Sequence, residues 1–505
     1  MALTEEKIRK TYNALKEKAQ NYLERGRIHK SLLYTHLAAY TNYSFFLSCY
    51  DEDLENIVKR IGELVRNTDS DIRPVKNRCV MLDSLARYRG GLTVQYIKAI
   101  TSAGWELLYV TQQEMDAPHR TELRNFLAGL DNVTVYEVPT NKKGLERIQC
   151  VYNTIMEYRP ERLYTHLNAY DAYLSAVAYA VPHTVLKFTI DITDHAFLLG
   201  FNAGDYSFEF RKLGCSLAEK YKKWSKDKML MLPYYPIVDN VPFLGFPNGI
   251  ERKVKILSGG IYWKIIDNDD TFFKLVKRIL DENPDTVVLY PGSGDPEVVK
   301  DKIVEYGLEN KLILLGWRND LSELFRHSDI YLNTYPHGGG TMTQYAAHLH
   351  KPLLNYCPEE GCDNPVECFV CQVKEAKISS YGVEEFVAEA NRLIRNVEYR
   401  KQKADEVYEC VLGEERFNEY FAKMSADPTS ILPVETEKNI KLDSNFTVKQ
   451  LAYYNNLGEF QMRIVAFSGL NSITISRDFL FPFFRKIGPK LRSLVSRKGL
   501  HYNHI

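Results

Sequence analysis

The residues best suited to chemistry lie in the segment DIYLNTYPHGGGTMTQYAAHLHKPLL, at 329–354. An apolar run there leads into Gly338, Gly339 and Gly340, and a helical pattern begins near Thr341. The unpaired amides of a first helical turn, together with the helix dipole, favour an anion at that position. The turn therefore predicts a binding site for a diphosphate, although glycines also serve simple tight turns.

Two further loops follow apolar runs in the same half of the chain. Gly259 and Gly260 follow KVKIL, and PGSG follows DTVVLY, so the backbone of both loops allows close approach. Lys264 comes four residues after Gly260 and could neutralise a diphosphate leaving group, which is electrostatic catalysis. It could equally be a surface lysine. Trp317 and Arg318 follow the run KLILLG, where they could cover a flat base or sugar ring. A tryptophan at such a position is as often a buried residue of the hydrophobic core.

The first half of the chain offers a candidate general base. Asp191, Asp194 and His195 share the loop DITDHAFLLG after the run HTVLKF. A neighbouring carboxylate orients a histidine and makes it more basic, so His195 is our leading candidate. The structural alternative is that these three side chains only cap a local turn. An acceptor or phosphate could also contact four residues: Arg87, Gly90, Gly91 and Arg211. The arginines could instead form surface ion pairs, which contribute little.

Length, charge and apolar content limit the classes of function that this chain can have. The chain has 505 residues, enough for two or three cores, with 65 Lys plus Arg against 65 Asp plus Glu. A formal net charge of zero gives no bulk electrostatic case for nucleic-acid binding. The charged N-terminus and the lack of a long apolar run predict a cytoplasmic protein.

The nine cysteines favour reduced thiols over a disulfide framework. Four of them cluster: Cys357, Cys362, Cys368 and Cys371. Their pairs are too close together for a usual structural zinc site, so we expect no bound metal there.

The elements that position these residues form a tandem pattern. Short apolar runs alternate with amphipathic stretches from Arg78 to about 240 and again from about 250, which predicts an α/β protein with two Rossmann-like domains. We predict a helical preface at 1–70, a first domain at 75–240, a second domain at 250–425 and a helical extension at 426–505. The end of the extension, 479–500, interleaves aromatic and basic residues. It suits peripheral contact with a membrane, or equally a helix packed back on the body.

At these residues the second domain resembles the donor half of glycosyltransferases with the GT-B architecture, in which two Rossmann-like domains face each other across a cleft that binds a nucleotide sugar. The likeness covers 250–420 well and 78–250 loosely, through LDSLARYRGGLTVQYIKAI. It is similar to the GT4-like and the protein O- or N-glycosyltransferase groups. The resemblance implies donor contacts from four loops: Gly259, Gly260, Pro291, Gly292, Trp317, Arg318, His337, Gly338, Gly339, Gly340, Thr341 and Gln344.

The chain departs from the retaining members of that family. Many of them carry two glutamates eight positions apart around the glycine turn, where this chain has Pro336 and Gln344. The arrangement is more similar to inverting transferases that modify protein side chains. Both retention and inversion of the anomeric configuration therefore stay open.

Three hypotheses follow. The first is a glycosyltransferase that uses a nucleoside-diphosphate sugar, with a UDP-sugar as the expected donor, as co-substrate and needs no metal. Its acceptor would be a glycan, a lipid-linked molecule or a protein. Whether the protein forms a homo-oligomer stays open. The second is a catalytically inactive GT-B-like binding or chaperone subunit of a glycosyltransferase complex. The third is an epimerase or hydrolase of similar architecture. Motifs of dehydrogenases, P-loop enzymes, zincins and serine hydrolases do not occur.

Overall fold

The computed structural model describes residues 4–66, 73–238, 240–359, 366–431 and 433–436. Cys362 and the basic aromatic segment at 479–500 lie outside these residues. Within them, no helix combines the length and the apolar character needed to cross a membrane.

Three helices open the described chain: α1 (Glu5–Glu24), α2 (Ile28–Phe45) and α3 (Glu52–Glu63). Thr4 caps α1 by accepting a hydrogen bond from the Lys7 amide, and Asp51 caps α3 in the same way. Gly26 has a φ of 65° just beyond α1, a conformation that glycine adopts without strain.

The first sheet has seven parallel strands. In chain order they are β1 (Arg78–Asp83), β2 (Glu106–Thr111), β3 (Val133–Glu137), β4 (Arg162–His166), β5 (Leu186–Ile190), β6 (Tyr206–Glu209) and β7 (Met229–Met231). The helices between them are α4 (Thr93–Ser102), α5 (Thr121–Ala128), α6 (Gly144–Tyr158), α7 (Ala172–Ala180) and α8 (Lys212–Tyr221). The spatial order is β3-β2-β1-β4-β5-β6-β7, so the chain reverses direction across the sheet between β1 and β4. Ligands of such sheets bind beyond the strand ends at that reversal.

The second sheet is also parallel and has seven strands. They are β8 (Val254–Leu257), β9 (Gly260–Ile261), β10 (Thr286–Ser293), β11 (Leu312–Gly316), β12 (Ile330–Leu332), β13 (Leu353–Cys357) and β14 (Ser379–Tyr381). Its helices are α9 (Thr271–Glu282), α10 (Glu297–Glu305), α11 (Leu321–Arg326), α12 (Gly340–His348), α13 (Glu367–Val370), α14 (Gly382–Arg395) and α15 (Val397–Tyr408). The order is β11-β10-β8-β12-β13-β14, with β9 added beside β10. The α/β class with two Rossmann-like sheets is confirmed.

The apolar cores show to which domain the helices at either end of the described chain belong. The helices α1 to α3 share one apolar core with α6, α7 and one face of the first sheet, so the helical preface is part of the first domain. The final described helix, α16 (Glu414–Ala426), contributes Phe417 and Phe421 to the core on the other face of that sheet. The predicted boundary near 425 places α16 with the second domain; in the structure its apolar face packs in the first.

Contacts between loops join the two domains. The Arg89 guanidinium, in the loop after β1, donates a hydrogen bond to the Asn319 carbonyl after β11 at 3.1 Å. The Phe210 ring, after β6, lies 6.4 Å from the Phe369 ring of α13. These loops all follow strand ends, so the carboxyl ends of the two sheets lie toward each other.

Candidate functional site

The glycine turn between β12 and α12 is built by local hydrogen bonds. The Asn333 carboxamide oxygen accepts from the Gly339 amide at 2.9 Å, and the Thr334 hydroxyl donates to the His337 carbonyl at 2.6 Å. Gly339 precedes α12 and has no side chain to cap it. A helix start without a side-chain cap can offer its first-turn amides, here including that of Thr341, to an anion.

Lys264 lies at this turn. Its Nζ is 3.5 Å from the Gly338 carbonyl oxygen, and its own carbonyl accepts a hydrogen bond from the His337 amide at 3.2 Å. Burial lowers the pKa of Lys264. In the described part of the chain no acidic side chain forms an ion pair with it. A cation in this setting is stabilised by an anionic ligand.

The predicted glycines at the ends of β8 and β10 stand where neighbouring segments approach too closely for a side chain. A Cβ on Gly259 would come within 2.7 Å of the Pro291 carbonyl oxygen and 3.1 Å of the Met342 side chain of α12. A Cβ on Gly292 would lie 2.6 Å from the Gly260 carbonyl oxygen. Since only hydrogen fits at these points, the two loops close tightly on each other and on α12. Gln344 lies one turn into α12, fully buried, and donates to the Phe369 carbonyl.

Trp317 and Arg318 follow β11 and have different surroundings. Trp317 is 73% exposed at the rim of the second domain. The Arg318 guanidinium donates two hydrogen bonds to the Asp320 carboxylate, at 2.7 and 2.6 Å, and two to the Gly245 carbonyl, at 3.0 and 3.1 Å. Arg318 thus ties the loop after β11 to the segment that links the domains.

The loop after β5 holds a hydrogen-bonded histidine. The His195 Nδ1 lies 3.1 Å from an Asp194 carboxylate oxygen, and the His195 side chain is 43% exposed. Asp194 is fully buried and accepts two bonds from Arg211, at 2.5 and 2.8 Å. Burial alone would raise the pKa of Asp194, but Arg211 and His195 outweigh it and lower that pKa well below its usual range.

The other predicted members of the first-domain site lie deeper. Asp191 is fully buried in an ion pair with Lys222, and burial raises its pKa. Arg211 is only 2% exposed and donates to Asp194, and its contact with an acceptor stays a prediction. Arg87 is half-buried after β1, and burial lowers its pKa. Gly90 and Gly91 are exposed, with φ values of 73° and 99°.

A buried pair at the ends of β1 and β4 escaped sequence reasoning. Asp83 and His166 are the last residues of their strands, pair in register and are both fully buried. Their side chains meet at 3.0 Å, while Tyr109 and Thr93 donate to the other carboxylate oxygen at 2.8 and 2.7 Å.

Burial would raise the pKa of Asp83, but His166 and these donors lower it. Among the described atoms, His166 Nε2 has no hydrogen-bond partner. In the sequence, the only indication of this pair is that each of the two apolar runs, RCVMLD and RLYTH, ends in a polar residue.

Cysteine and acidic clusters do not form a metal centre in the described residues. No three His, Cys, Asp or Glu side chains there are placed to share one metal ion. Cys357 is buried at the end of β13, and the Cys371 sulfur accepts a hydrogen bond from the Ala376 amide at 3.3 Å.

The fold is that of known glycosyltransferases. No family model and no curated protein sequence matches this chain. A solved mutant of the O-GlcNAc transferase from Thermobaculum terrenum is 15% identical over 81% of this chain and 82% of its own, with a TM-score of 0.52.

Anabaena HepE, solved in complex with UDP and glucose, is 12% identical over 69% of this chain and 99% of its own, with a TM-score of 0.52. A glycosyltransferase from Rickettsia africae is 13% identical over 70% of this chain and 97% of its own, with a TM-score of 0.51. The chain therefore has the GT-B fold, as the sequence resemblance implies.

Proposed function

We propose that this protein is a glycosyltransferase that moves a sugar from a nucleoside-diphosphate sugar to a glycan, lipid-linked or protein acceptor. The observation that carries the proposal is Lys264, a half-buried cation held against Gly338 at the start of α12 without an acidic partner among the described residues. A diphosphate at that point would receive both the Lys264 charge and the amides of the helix. UDP is the first nucleotide to test, because the similar Anabaena protein was solved with UDP and glucose.

The positions of the remaining site residues agree with a transfer between the domains. His195, with its Asp194 partner, is the base that we propose for the acceptor hydroxyl, since His195 is half-exposed whereas His166 is fully buried. Trp317 stands exposed beside the end of β11 and would cover the base of the nucleotide. Since Lys264 and the amides supply positive charge, we expect donor binding to survive EDTA.

A melting-temperature screen tests the donor site. UDP, GDP, ADP and CMP are added to the full chain with and without EDTA. We expect one nucleoside diphosphate to raise the melting temperature, because a ligand at 100 times its Kd stabilises the native state by about 2.7 kcal/mol. Failure of every nucleotide at millimolar concentration would overturn the proposal and favour the inactive-subunit alternative.

The variant Lys264→Met assigns the shift to the proposed site. A lost charge-assisted bond is worth about 1.5–3 kcal/mol, so we expect the Kd of the nucleotide to weaken roughly ten- to a hundredfold. The melting temperature without ligand should not fall, because the substitution removes a half-buried charge.

Lys351→Met is the matched control. Lys351 is also partly buried, with its pKa lowered by burial, and its Nζ donates to the Arg326 carbonyl at 3.0 Å, near the start of β13 and away from the glycine turn. Its substitution should leave nucleotide affinity unchanged. Equal losses in both variants would remove Lys264 from the site.

A further inference from the structure

A continuous set of contacts joins the His195 loop of the first domain to the glycine turn of the second. His195 contacts Asp194, and Asp194 holds Arg211 through two hydrogen bonds. The Arg211 guanidinium carbon lies 4.1 Å from the centroid of the Phe369 ring. Phe369 belongs to α13 of the second domain, so this cation–π contact crosses between the domains.

Phe369 is fixed against the first turn of α12. A Cβ on Gly340 would lie 2.7 Å from the Phe369 ring and 2.8 Å from the Tyr234 hydroxyl, so the ring packs directly on the helix start. The Phe369 carbonyl accepts a hydrogen bond from Gln344, one turn further along the same helix. A ligand bound to the first-turn amides would therefore lie beside the Phe369 ring.

Arg211 is suited to connect both sides. A planar guanidinium can donate two parallel bonds to a carboxylate while its face lies on an aromatic ring, which a lysine ammonium cannot do. Arg211 is 2% exposed, so solvent screens neither contact strongly. Apolar packing supports the same junction, where Leu213 and Leu217 of α8 contact Cys368 of α13.

We propose that Arg211 is a positioning residue that couples occupancy of the glycine turn to the orientation of His195. Nucleotide bound at the start of α12 shifts the Phe369 ring. Because Arg211 stacks on that ring and is hydrogen-bonded to Asp194, the shift moves the Asp194 carboxylate and reorients the His195 imidazole. The inference rests on the proposed donor site. Its role is orientation across the domain junction, and no bond to substrate is assigned to Arg211.

Histidine NMR tests this coupling on the full chain. The 12 histidines are labelled with ¹³C, the His195 signal is assigned by loss in His195→Gln, and the probe is the nucleoside diphosphate with the largest shift in the melting screen. We expect saturation with that nucleotide to move the His195 signal in the wild-type protein. At saturating nucleotide, the movement in Arg211→Lys should fall by at least about half, because the contact that carries the coupling is changed.

Phe369→Leu should give the same loss of movement from the other domain. Phe386→Leu is its control, because Phe386 is fully buried in the second domain and packs on Tyr356, 5.6 Å away between ring centroids. That control should keep the wild-type movement.

An unmoved His195 signal in nucleotide-saturated wild-type protein, or full movement in both Arg211→Lys and Phe369→Leu, would overturn the coupling and leave the donor site intact. Absence of nucleotide binding in the wild-type protein would instead overturn the donor site, and the coupling with it.

Discussion

Arg318 shows how a single residue near the proposed donor site serves the fold. Its guanidinium bridges the Asp320 carboxylate, which is 1% exposed, and the Gly245 carbonyl of the interdomain segment. Burial would raise the pKa of Asp320, but the hydrogen bonds from Arg318 and Leu244 lower it. The charge of Asp320 in the folded protein therefore depends on Arg318.

We expect Arg318→Met to lower the free energy of unfolding by about 3 kcal/mol, because it leaves a buried carboxylate without its cation. Urea unfolding measures this loss. The control is Arg278→Met, which breaks an exposed pair with Glu384 and should cost less than about 1 kcal/mol. Unchanged stability together with weaker nucleotide binding would instead assign the Arg318 guanidinium to the donor.

At the scale of elements, α3 is joined tightly to α7. A Cβ on Gly62 of α3 would lie 2.5 Å from the Ala176 carbonyl oxygen of α7, so the two helices touch backbone to backbone. Glu55 of α3 is 3% exposed and accepts hydrogen bonds from the Tyr179 hydroxyl at 2.5 Å and the Gly200 amide at 2.7 Å. Burial, opposed by these donors, raises the pKa of Glu55 to about 7.

This shift predicts a pH dependence of folding. The folded protein keeps the Glu55 proton up to about pH 7, whereas the unfolded chain releases it near about pH 4.3. The folded state therefore binds more protons between these values, and the free energy of unfolding falls by about 4 kcal/mol as the pH rises through that window.

Glu55→Gln should abolish this part of the slope in urea unfolding measured from pH 4.5 to 8. Glu63→Gln, an exposed change on the same helix, should keep it. An identical slope in the wild-type protein and Glu55→Gln would contradict the prediction.

At the scale of the whole molecule, the chain crosses back to the first domain at its last described helix. Phe421 of α16 is fully buried, with its ring 5.5, 5.6 and 5.9 Å from those of Tyr164, Phe208 and Tyr96. The exposed ion pair of Lys98 with Glu414, at 2.8 Å, lies at the edge of the same junction. The two domains are therefore held by a helix that follows the second in sequence and packs in the first.

We expect Phe421→Ala to destabilise the first domain by about 3–5 kcal/mol, because it opens a cavity in that core. Hydrogen exchange should become faster in β1 and β4 and stay unchanged in β10. Tyr420→Ala, at a residue that is 41% exposed, is the control and should leave exchange at wild-type rates. Faster exchange in β10 without change in β1 would place α16 with the second domain.

Local sequence features account for most of the elements. Alternating apolar runs predict both parallel sheets, and the glycines before Thr341 predict the turn that starts α12. They succeed because strand and helix periodicity, capping and the steric freedom of glycine act over a few residues. The donor and acceptor roles of individual side chains stay predictions.

What the sequence by itself determined is the order and kind of the elements, and hence the α/β class with two domains. Only the tertiary structure decided which side chains distant in sequence contact each other. Asp83 meets His166 across 83 residues through strand register, Arg211 lies between Asp194 and Phe369, and Phe421 enters the first core. Such contacts depend on which strands and helices become neighbours in space, and sequence spacing does not contain that information.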